Sequence, residues 1–354
     1  MHQKRDKTID VLRFIAIIAI IIAHIDPPDL LFRLRNFDVT LMVMLMGVSF
    51  YISQSNKSLN YGSYIYKRFQ RLIVSTWKFL VLFFLLFWTL AKLRGEAFYF
   101  ETEMILESFK LIDGIGYVWV MYVFFIVALV SPVLLALSKR IKSHLVYFLI
   151  LTVAYGLYYI TINASQAISG ETAVTIKEYL IQPIGYVLIA AVGIRFKQLS
   201  KRNLMLGTGI LLVLFTALAY TNNYLPIQAF KYPPTMYYMS YGLLVSFALY
   251  QLLSLRAVTR FVHNKFVFYY SNASLILYFW HVVPLYLLKF YDIPIIPDHF
   301  ITRLLFVLGF SLLMTYIQDR LTTTVNNRIN KQKKKATPLT EIIEQQQEDL
   351  TRTV

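Results

Sequence analysis

The feature that most constrains the fold is a series of long apolar runs that recur from the N-terminus to about residue 318. Runs of about 17 to 25 apolar residues are long enough to cross a bilayer as α-helices. Because helices satisfy every backbone polar group internally, they are the form that such runs take in hydrocarbon. The chain therefore predicts an all-α, polytopic transmembrane bundle of about ten spans. The runs lie at residues 8–25, 38–54, 72–91, 115–137, 144–162, 179–195, 204–220, 235–254, 267–288 and 301–318.

Lys and Arg residues alternate in density between successive loops. With the N-terminus in the cytoplasm, every inner segment carries at least three of them, whereas the outer segments carry nine in all. Since cytoplasmic loops are enriched in Lys and Arg, the pattern predicts an even number of spans with both termini cytoplasmic. It also explains the formal charge of +16 as a topology signal that attracts anionic membrane lipid, so no nucleic-acid partner is expected.

The composition indicates one membrane domain with a short tail. Only 15% of the residues are charged and 57% are hydrophobic, whereas soluble domains carry roughly 25% charged residues. We expect the membrane domain to span residues 1–320 and the polar tail, 321–354, to be a disordered cytoplasmic segment. The first run is followed by Asp26-Pro27-Pro28 and not by a small-residue cleavage site, so we expect it to be retained as a span.

Ionisable residues inside the first run are candidates for function, because a charge at bilayer depth costs at least about 2.5 to 3.5 kcal/mol. Asp10 precedes Arg13 by three residues and can pair with it on a helix. His24 follows Arg13 by 11 residues, which places both on one helix face, separated by about 16 Å. The alternative is a snorkelling arginine at one end and an interfacial histidine at the other.

Two further groups of residues suggest a site. Arg68 and Arg71 are three residues apart, so on a helix they point the same way and can clamp phosphate groups. On the spacing alone, the reading of both as ordinary positive-inside anchors is favoured. His281 lies in the aromatic run Tyr278-Phe279-Trp280-His281, at a depth comparable to that of His24. A structural histidine between aromatic rings is the alternative there.

Several common catalytic motifs are absent from the sequence. It has no P-loop, no dinucleotide-binding glycine pattern, no HExxH and no Gly-x-Ser-x-Gly. It has no cysteine either, which excludes thiolate nucleophiles and zinc–thiolate sites. We therefore expect no metal and no permanently bound cofactor.

The ionisable residues, taken in order, resemble the motifs of the acyltransferase 3 family of integral membrane acyltransferases, which includes O-acetyltransferases of bacterial surface polysaccharides. The family's first span carries Asp, then Arg and, after ten more residues, His, as Asp10, Arg13 and His24 do. Its Arg-x-x-Arg segment matches Arg68 and Arg71. Other matching segments are Met46–Tyr51, Trp77, Gly116–Tyr122, Pro233–Tyr238 and Ser274–Pro284. The resemblance covers about residues 7 to 318.

The resemblance implies an acyl-CoA donor, acetyl-CoA by default, and an acceptor hydroxyl on a polysaccharide or lipid-linked glycan at the plasma membrane. Arg68 and Arg71 would then hold the CoA phosphates, and Arg13, with Asp10, would orient the donor arm. His24 would act as general base or as transient acyl carrier. Candidates for the acceptor side are His281, Trp119, Tyr122 and Tyr278.

One segment departs from the family pattern, because Ser75-Thr76 stands where many members have a proline after the arginine pair. The local shape there is not predictable from the motif.

Two other classes of membrane protein share long apolar runs and buried arginines. A transporter or flippase of lipid-linked glycans favours paired halves with interrupted helices, and no internal symmetry is evident in the sequence. A polysaccharide polymerase would carry a large outer loop with basic catalytic residues, whereas the longest outer loop, residues 92–114, is net acidic. Both remain alternatives to the acyltransferase.

Overall fold

The computed structural model describes residues 6–255, 258–259, 264–291, 293 and 299–351, and the side chains of all of these except 171 and 329–351. Within these ranges the chain is helical and contains no β-strand, so the predicted all-α class is confirmed. Four basic residues used in the topology prediction, Lys4, Arg5, Arg256 and Arg260, lie outside the described part.

The helices are labelled in chain order. They are α1 (Lys7–Ala23), α2 (Asp29–Gln54), α3 (Tyr61–Arg94), α4 (Thr102–Lys110), α5 (Trp119–Arg140), α6 (His144–Ser165), α7 (Thr172–Phe196), α8 (Lys201–Thr221), α9 (Met236–Leu253), α10 (Lys265–Asn272), α11 (Ser274–Phe290) and α12 (Phe300–Thr351). Short segments of different winding occur inside three of them, a 3-10 turn at Arg35–Phe37 in α2 and π turns at Gln70–Val74 in α3 and Lys177–Ile181 in α7.

Seven described helices, of 21 to 34 residues, are long and apolar enough to cross a membrane: α2, α3, α5, α6, α7, α8 and residues 300–328 of α12. The α10–α11 pair adds an eighth when counted as one broken span, bent by 81°. The remaining two predicted runs coincide with α1 and α9, which have 17 and 18 residues. Each predicted run therefore corresponds to a helix or to the bent pair, although length and hydropathy support only seven or eight spans.

Two boundaries differ from the prediction. The third run was expected to begin at residue 72, but α3 begins at Tyr61 because the Asn60 side chain caps it, accepting a hydrogen bond from Ser63 N at 3.0 Å. Arg68 and Arg71 therefore lie within a continuous helix. At the other end of the chain, α12 continues past residue 320 to Thr351; the disorder expected for the tail stays a prediction.

The core of the bundle is built around α1 and α2. α1 contacts α2, α9, α10 and α11, and α2 packs along α7. The α2–α7 approach is close because glycine faces backbone on both sides: a Cβ at Gly47 would lie 2.2 Å from Ala190 O, and one at Gly193 would lie 2.1 Å from Met44 O. Small residues allow such contacts between membrane helices. α6 and α8 lie at the periphery, with most side chains facing outward.

Candidate functional site

A cavity of about 390 Å³ lies among α1, α2, α3, α5 and the α10–α11 bend. Its described lining includes Arg13, Arg68 and Arg71 but no carboxylate. Tyr278 and the hydroxyl of Ser49 also line it. Asp10, beside Arg13, offsets only one of the three positive charges. The cavity therefore favours an anionic ligand.

Arg13 is held from two sides in the middle of α1. Its guanidinium donates to Asp10 Oδ1 at 3.2 Å, as the spacing of three residues predicts, and to Ser49 Oγ at 3.0 Å. Asp10 is buried, with a side chain 7% exposed. The two contacts fix the direction of Arg13 toward the cavity, which a snorkelling arginine would not require.

Arg68 and Arg71 reach the same cavity from α3, so the helix brings them to one face as predicted. The Arg68 guanidinium lies over the ring of Tyr64, 5.1 Å from its centroid, and the Tyr64 hydroxyl donates to Ala128 O at 3.2 Å. Neither arginine forms a salt bridge with a carboxylate of the described residues. Their donors remain available to an anion.

The π turn at Gln70–Val74 begins two residues after Arg68 and contains Arg71. A π turn widens the helix and leaves carbonyl groups that need other donors. Ser75 Oγ donates to Gln70 O at 3.1 Å, and Thr76 Oγ1 donates to Leu72 O at 2.5 Å. The Ser-Thr pair, which departs from the family motif, thus stabilises the wide turn that presents Arg71.

One face of α1 connects the cavity with His24. Arg13, Ile17 and Ile20 line the cavity at helical spacing, and His24 follows Ile20 by four residues on the same face. α1 ends at Ala23, and the backbone N–H of His24 donates to Ile21 O at 3.0 Å. The imidazole therefore sits just beyond the deep end of the arginine-lined cavity.

His24 meets His281 of α11. His281 Nε2 and His24 Nδ1 are 3.2 Å apart, and the two rings are stacked with centroids 5.3 Å apart. His281 is fully buried, at 0% exposure. Its Nδ1 is hydrogen-bonded to the carbonyl oxygen of Tyr278. The sequence predicted both histidines at similar depth, with His24 as the general base or acyl carrier and His281 on the acceptor side.

These contacts fix the tautomers of the two neutral imidazoles. A carbonyl oxygen only accepts, so His281 Nδ1 carries the proton donated to Tyr278, and its Nε2 is an acceptor. His24 Nδ1 must then donate to His281 Nε2. The Nε2 of His24 is left with a free lone pair, which can accept a proton or attack a carbonyl carbon.

Aromatic residues cover the histidine pair. The ring of Tyr117 meets His24 edge-on at 4.7 Å between centroids. The Tyr278 hydroxyl donates to the carbonyl oxygen of Tyr117, and the Tyr286 hydroxyl donates to Ile115 O at 3.1 Å. The segment before α5 is therefore pinned over His24 and His281.

A second cavity, of about 270 Å³, lies on the other side of this segment. Gly116 lines it next to Tyr117, together with Trp119 and Tyr122 from α5. Trp119 meets the ring of Tyr232 edge-on at 5.2 Å. Polar and charged neighbours in the lining are Asp113, Lys177, Glu178 and Gln182. Of the four residues predicted for the acceptor side, Trp119 and Tyr122 share this cavity, whereas Tyr278 lines the first one and His281 contacts His24.

The sequence prediction missed a buried charged group formed by Arg35 and Asp38 of α2 with Lys231. Arg35 Nη1 and Asp38 Oδ2 are 3.0 Å apart, and Lys231 Nζ lies 3.7 Å from Asp38 Oδ1. All three side chains are at most 5% exposed. In the loop-charge pattern, Arg35 and Lys231 are two of the nine Lys and Arg residues of the outer segments. The spacing of Arg35 and Asp38, three residues apart before an apolar run, was the signal for a pair.

Lys231 is charged despite its burial. Burial opposes the ammonium form, but the carboxylate of Asp38, together with Tyr232 and Tyr238, raises the pKa of Lys231 above its ordinary value. The Arg35–Phe37 turn of α2 packs against α1, whose last residue, Ala23, precedes His24. The group therefore places net positive charge near the histidine pair.

Comparison with known proteins identifies the family. The acyltransferase 3 family model, described as an acyltransferase domain, matches residues 6–317. Neither the curated proteins nor the solved structures compared with the chain gave a match. In the described ranges no three His, Asp or Glu side chains come together as metal ligands. The match covers nearly all of the chain, so the chain belongs to the acyltransferase 3 family and is a membrane acyltransferase.

Proposed function

We propose that the protein transfers an acyl group, acetyl by default, from acyl-CoA in the cytoplasm to a hydroxyl of a polysaccharide or lipid-linked glycan at the plasma membrane. The observation that carries the proposal is the His24–His281 contact just beyond the deep end of a cavity lined by three arginines. One face of α1 thereby connects a binding site for an anionic donor with His24, which can accept a proton.

The first cavity suits the donor. Arg68 and Arg71 have guanidinium donors available for the phosphates of CoA, and arginine binds phosphate bidentately. The pantetheine arm would run past Arg13 along α1. Arg13 and His24 are 11 residues apart, about 16 Å along a helix, so the thioester can reach His24 while the nucleotide stays at the arginine pair.

The reaction is an acyl transfer at His24. Nε2 takes the proton of the acceptor hydroxyl as its oxygen attacks the thioester carbonyl carbon, and the C–S bond then breaks. The departing thiolate takes the proton from His24, which returns to its starting tautomer. Throughout the reaction His281 Nε2 accepts a hydrogen bond from the Nδ1–H of His24 and so positions the His24 ring.

The second cavity suits the acceptor. Trp119, Tyr122 and Tyr232 supply aromatic faces, and Asp113 and Glu178 supply hydrogen-bond acceptors. Sugars have both apolar faces and hydroxyl edges, and a site of this composition complements both. The segment that contains Gly116 and Tyr117 connects the two, because Gly116 lines this cavity and the ring of Tyr117 meets His24.

The direction of transfer follows from the loop charges. The Lys and Arg pattern supports cytoplasmic termini and ten spans, with α1 and α9 counted as short spans and α10–α11 as a broken one. α1 would cover about 25 Å at 1.5 Å per residue, close to the hydrocarbon thickness of about 30 Å. This orientation puts the arginine pair on the cytoplasmic side and His24 toward the outer side.

The test is NMR of the surface glycan from cells that carry wild-type protein or His24→Ala. We expect O-acetyl signals to disappear in His24→Ala while the protein remains in the membrane at wild-type amounts. His299→Ala is the matched control, because His299 is exposed and outside both cavities. Normal O-acylation in His24→Ala would refute the assignment.

The same cells separate the alternatives. Loss of glycan export or a change in chain length, with O-acyl groups intact, would favour a flippase or a polymerase. Labelled acetyl-CoA distinguishes the two roles of His24: a label that stays on the protein in the absence of acceptor indicates an acyl carrier, and its absence indicates a general base.

A further inference from the structure

The buried group of Arg35, Asp38 and Lys231 is more than a structural ion pair. It contains two cations and one carboxylate, at 3.0 Å and 3.7 Å, and so carries a net positive charge. Asp38 is fixed further by the backbone N–H of Val39, which donates to Asp38 Oδ1 at 2.6 Å. A structural pair would need only one cation.

The Lys231 ammonium is not saturated. Among the described residues it makes no hydrogen bond, and Asp38 Oδ1 at 3.7 Å is beyond hydrogen-bond distance. Arg35 Nε likewise has no hydrogen-bond partner in the part of the chain that the structure describes. Buried charged donors are nearly always hydrogen-bonded, because leaving them without a partner is costly. Donors left open in this way indicate that an acceptor arrives with the substrate.

The position of Lys231 connects the two halves of the site. Its ammonium lies over the ring of Tyr232, 5.4 Å from the centroid. Tyr232 lines the second cavity and contacts Trp119. On the other side, the Arg35–Phe37 turn packs against α1, whose last residue, Ala23, precedes His24. An acyl group delivered to His24 would therefore lie within the field of Lys231.

We propose that Lys231 is a catalytic residue that donates a hydrogen bond to the carbonyl oxygen of the acyl group as that oxygen becomes negatively charged. This inference rests on the proposed function. When the acceptor oxygen bonds to the carbonyl carbon, the electron pair of the C=O bond moves to oxygen, and the ammonium stabilises it. As the C–S bond breaks, the pair returns to re-form the C=O bond.

The carboxylate of Asp38 and the guanidinium of Arg35 act as positioning residues in this account. Asp38 keeps Lys231 charged and holds it from one side without using its hydrogen-bond donors. Arg35 holds Asp38, donating from Nη1. A preorganised donor of this kind acts more strongly in a site that excludes water than in solution.

The experiment measures transfer from acetyl-CoA, labelled in the acetyl group, to glycan extracted from cells that lack the gene, in membranes containing wild-type protein or Lys231→Met. We expect kcat to fall about 100- to 1,000-fold, the usual effect of removing one oxyanion donor. Both KM values should change by less than about threefold, because the contact forms only in the transition state. A higher KM for the glycan with unchanged kcat would overturn the proposal and make Lys231 a binding residue for an acceptor anion.

A double variant tests the structural explanation. Asp38→Asn with Lys231→Met removes one charge of each sign and leaves the net charge of the group unchanged. If Lys231 only balances Asp38, the double variant recovers kcat to within about threefold of wild type, which would refute the proposal. We expect the kcat of the double variant to stay as low as that of Lys231→Met. Its elution in detergent gel filtration should match that of the wild type, as expected for a folded protein.

The two proposals fail in different ways. If wild-type membranes transfer no acetyl to the glycan, the proposed function is wrong. If the wild type is active and Lys231→Met is equally active, only the role of Lys231 is wrong.

Discussion

Replacing His281 with methionine removes the acceptor on which the tautomer of His24 depends. Methionine is also unbranched and apolar, and it adapts to irregular gaps, but its sulfur accepts hydrogen bonds only weakly. His281 is fully buried and contacts His24 Nδ1 at 3.2 Å. The substitution therefore leaves the first cavity in place while disconnecting His24 from Tyr278.

The magnitude follows from the charge that His24 carries during the reaction. Its ring becomes an imidazolium when Nε2 takes the acceptor proton, and His281 Nε2 then accepts from a charged donor. Hydrogen bonds to charged groups contribute about 1.5 to 3 kcal/mol, and each 1.36 kcal/mol corresponds to a factor of about ten. We expect kcat to fall about 10- to 150-fold in His281→Met, with the KM for acetyl-CoA unchanged.

The assay is the same transfer of labelled acetyl groups in membranes, with His281→Gln as the matched variant. The Gln carbonyl oxygen can accept from His24 Nδ1, so His281→Gln should keep more activity than His281→Met. Equal activity in the two variants, or a His281→Met enzyme within about threefold of wild type, would refute the tautomer argument. Either outcome would mean that His281 contributes only to packing.

Two other predictions address the donor site and the packing of the bundle. The double variant Arg68→Ala, Arg71→Ala should raise the KM for acetyl-CoA about tenfold or more, since each lost charge-assisted contact is worth about 1.5 kcal/mol or more. Lys139→Ala is the control, because Lys139 is exposed and lies outside the first cavity. An equal KM in the double variant and the wild type would make the two arginines topology anchors. Gly47→Ala should lower stability by about 1 to 3 kcal/mol, because its Cβ would lie 2.2 Å from Ala190 O. Gly209→Ala, with no atom within 4 Å, should not lower the Tm in detergent, and a Gly47→Ala protein as stable as Gly209→Ala would contradict the close α2–α7 contact.

The part of the site on α1 was predictable from sequence because it depends on one helix. Asp10, Arg13 and His24 follow from 100° per residue alone, and the structure places Arg13 in the cavity and His24 just beyond it. Arg68 and Arg71 were predictable for the same reason. The helical class followed from the apolar runs, since hydrocarbon leaves few other conformations.

The contacts between distant segments were not predictable in this way. His24 and His281 are 257 residues apart in sequence and meet only because α11 packs against α1. Lys231 looked like a loop charge because no local pattern shows that its loop folds inward against Asp38. The 81° bend between α10 and α11 was also missed. Ser271, Asn272 and Ser274 interrupt the run around Ala273, but the apolar segments before and after them were read as one span.

The arrangement of the two cavities also bears on the alternative of a transporter. The cavities share no lining residue, and Tyr117, Tyr278 and the histidine pair occupy the space between them. A transporter must move its whole substrate past such a barrier by rearranging the bundle. An acyltransferase only has to bring two reacting groups to one imidazole, each from its own cavity. A barrier held by the Tyr278–Tyr117 hydrogen bond is therefore compatible with catalysis and opposes transport. Tyr278→Phe weakens that barrier and so separates the two mechanisms. The rate of transport by a transporter should rise in this variant, whereas the rate of acyl transfer by an acyltransferase should stay the same or fall.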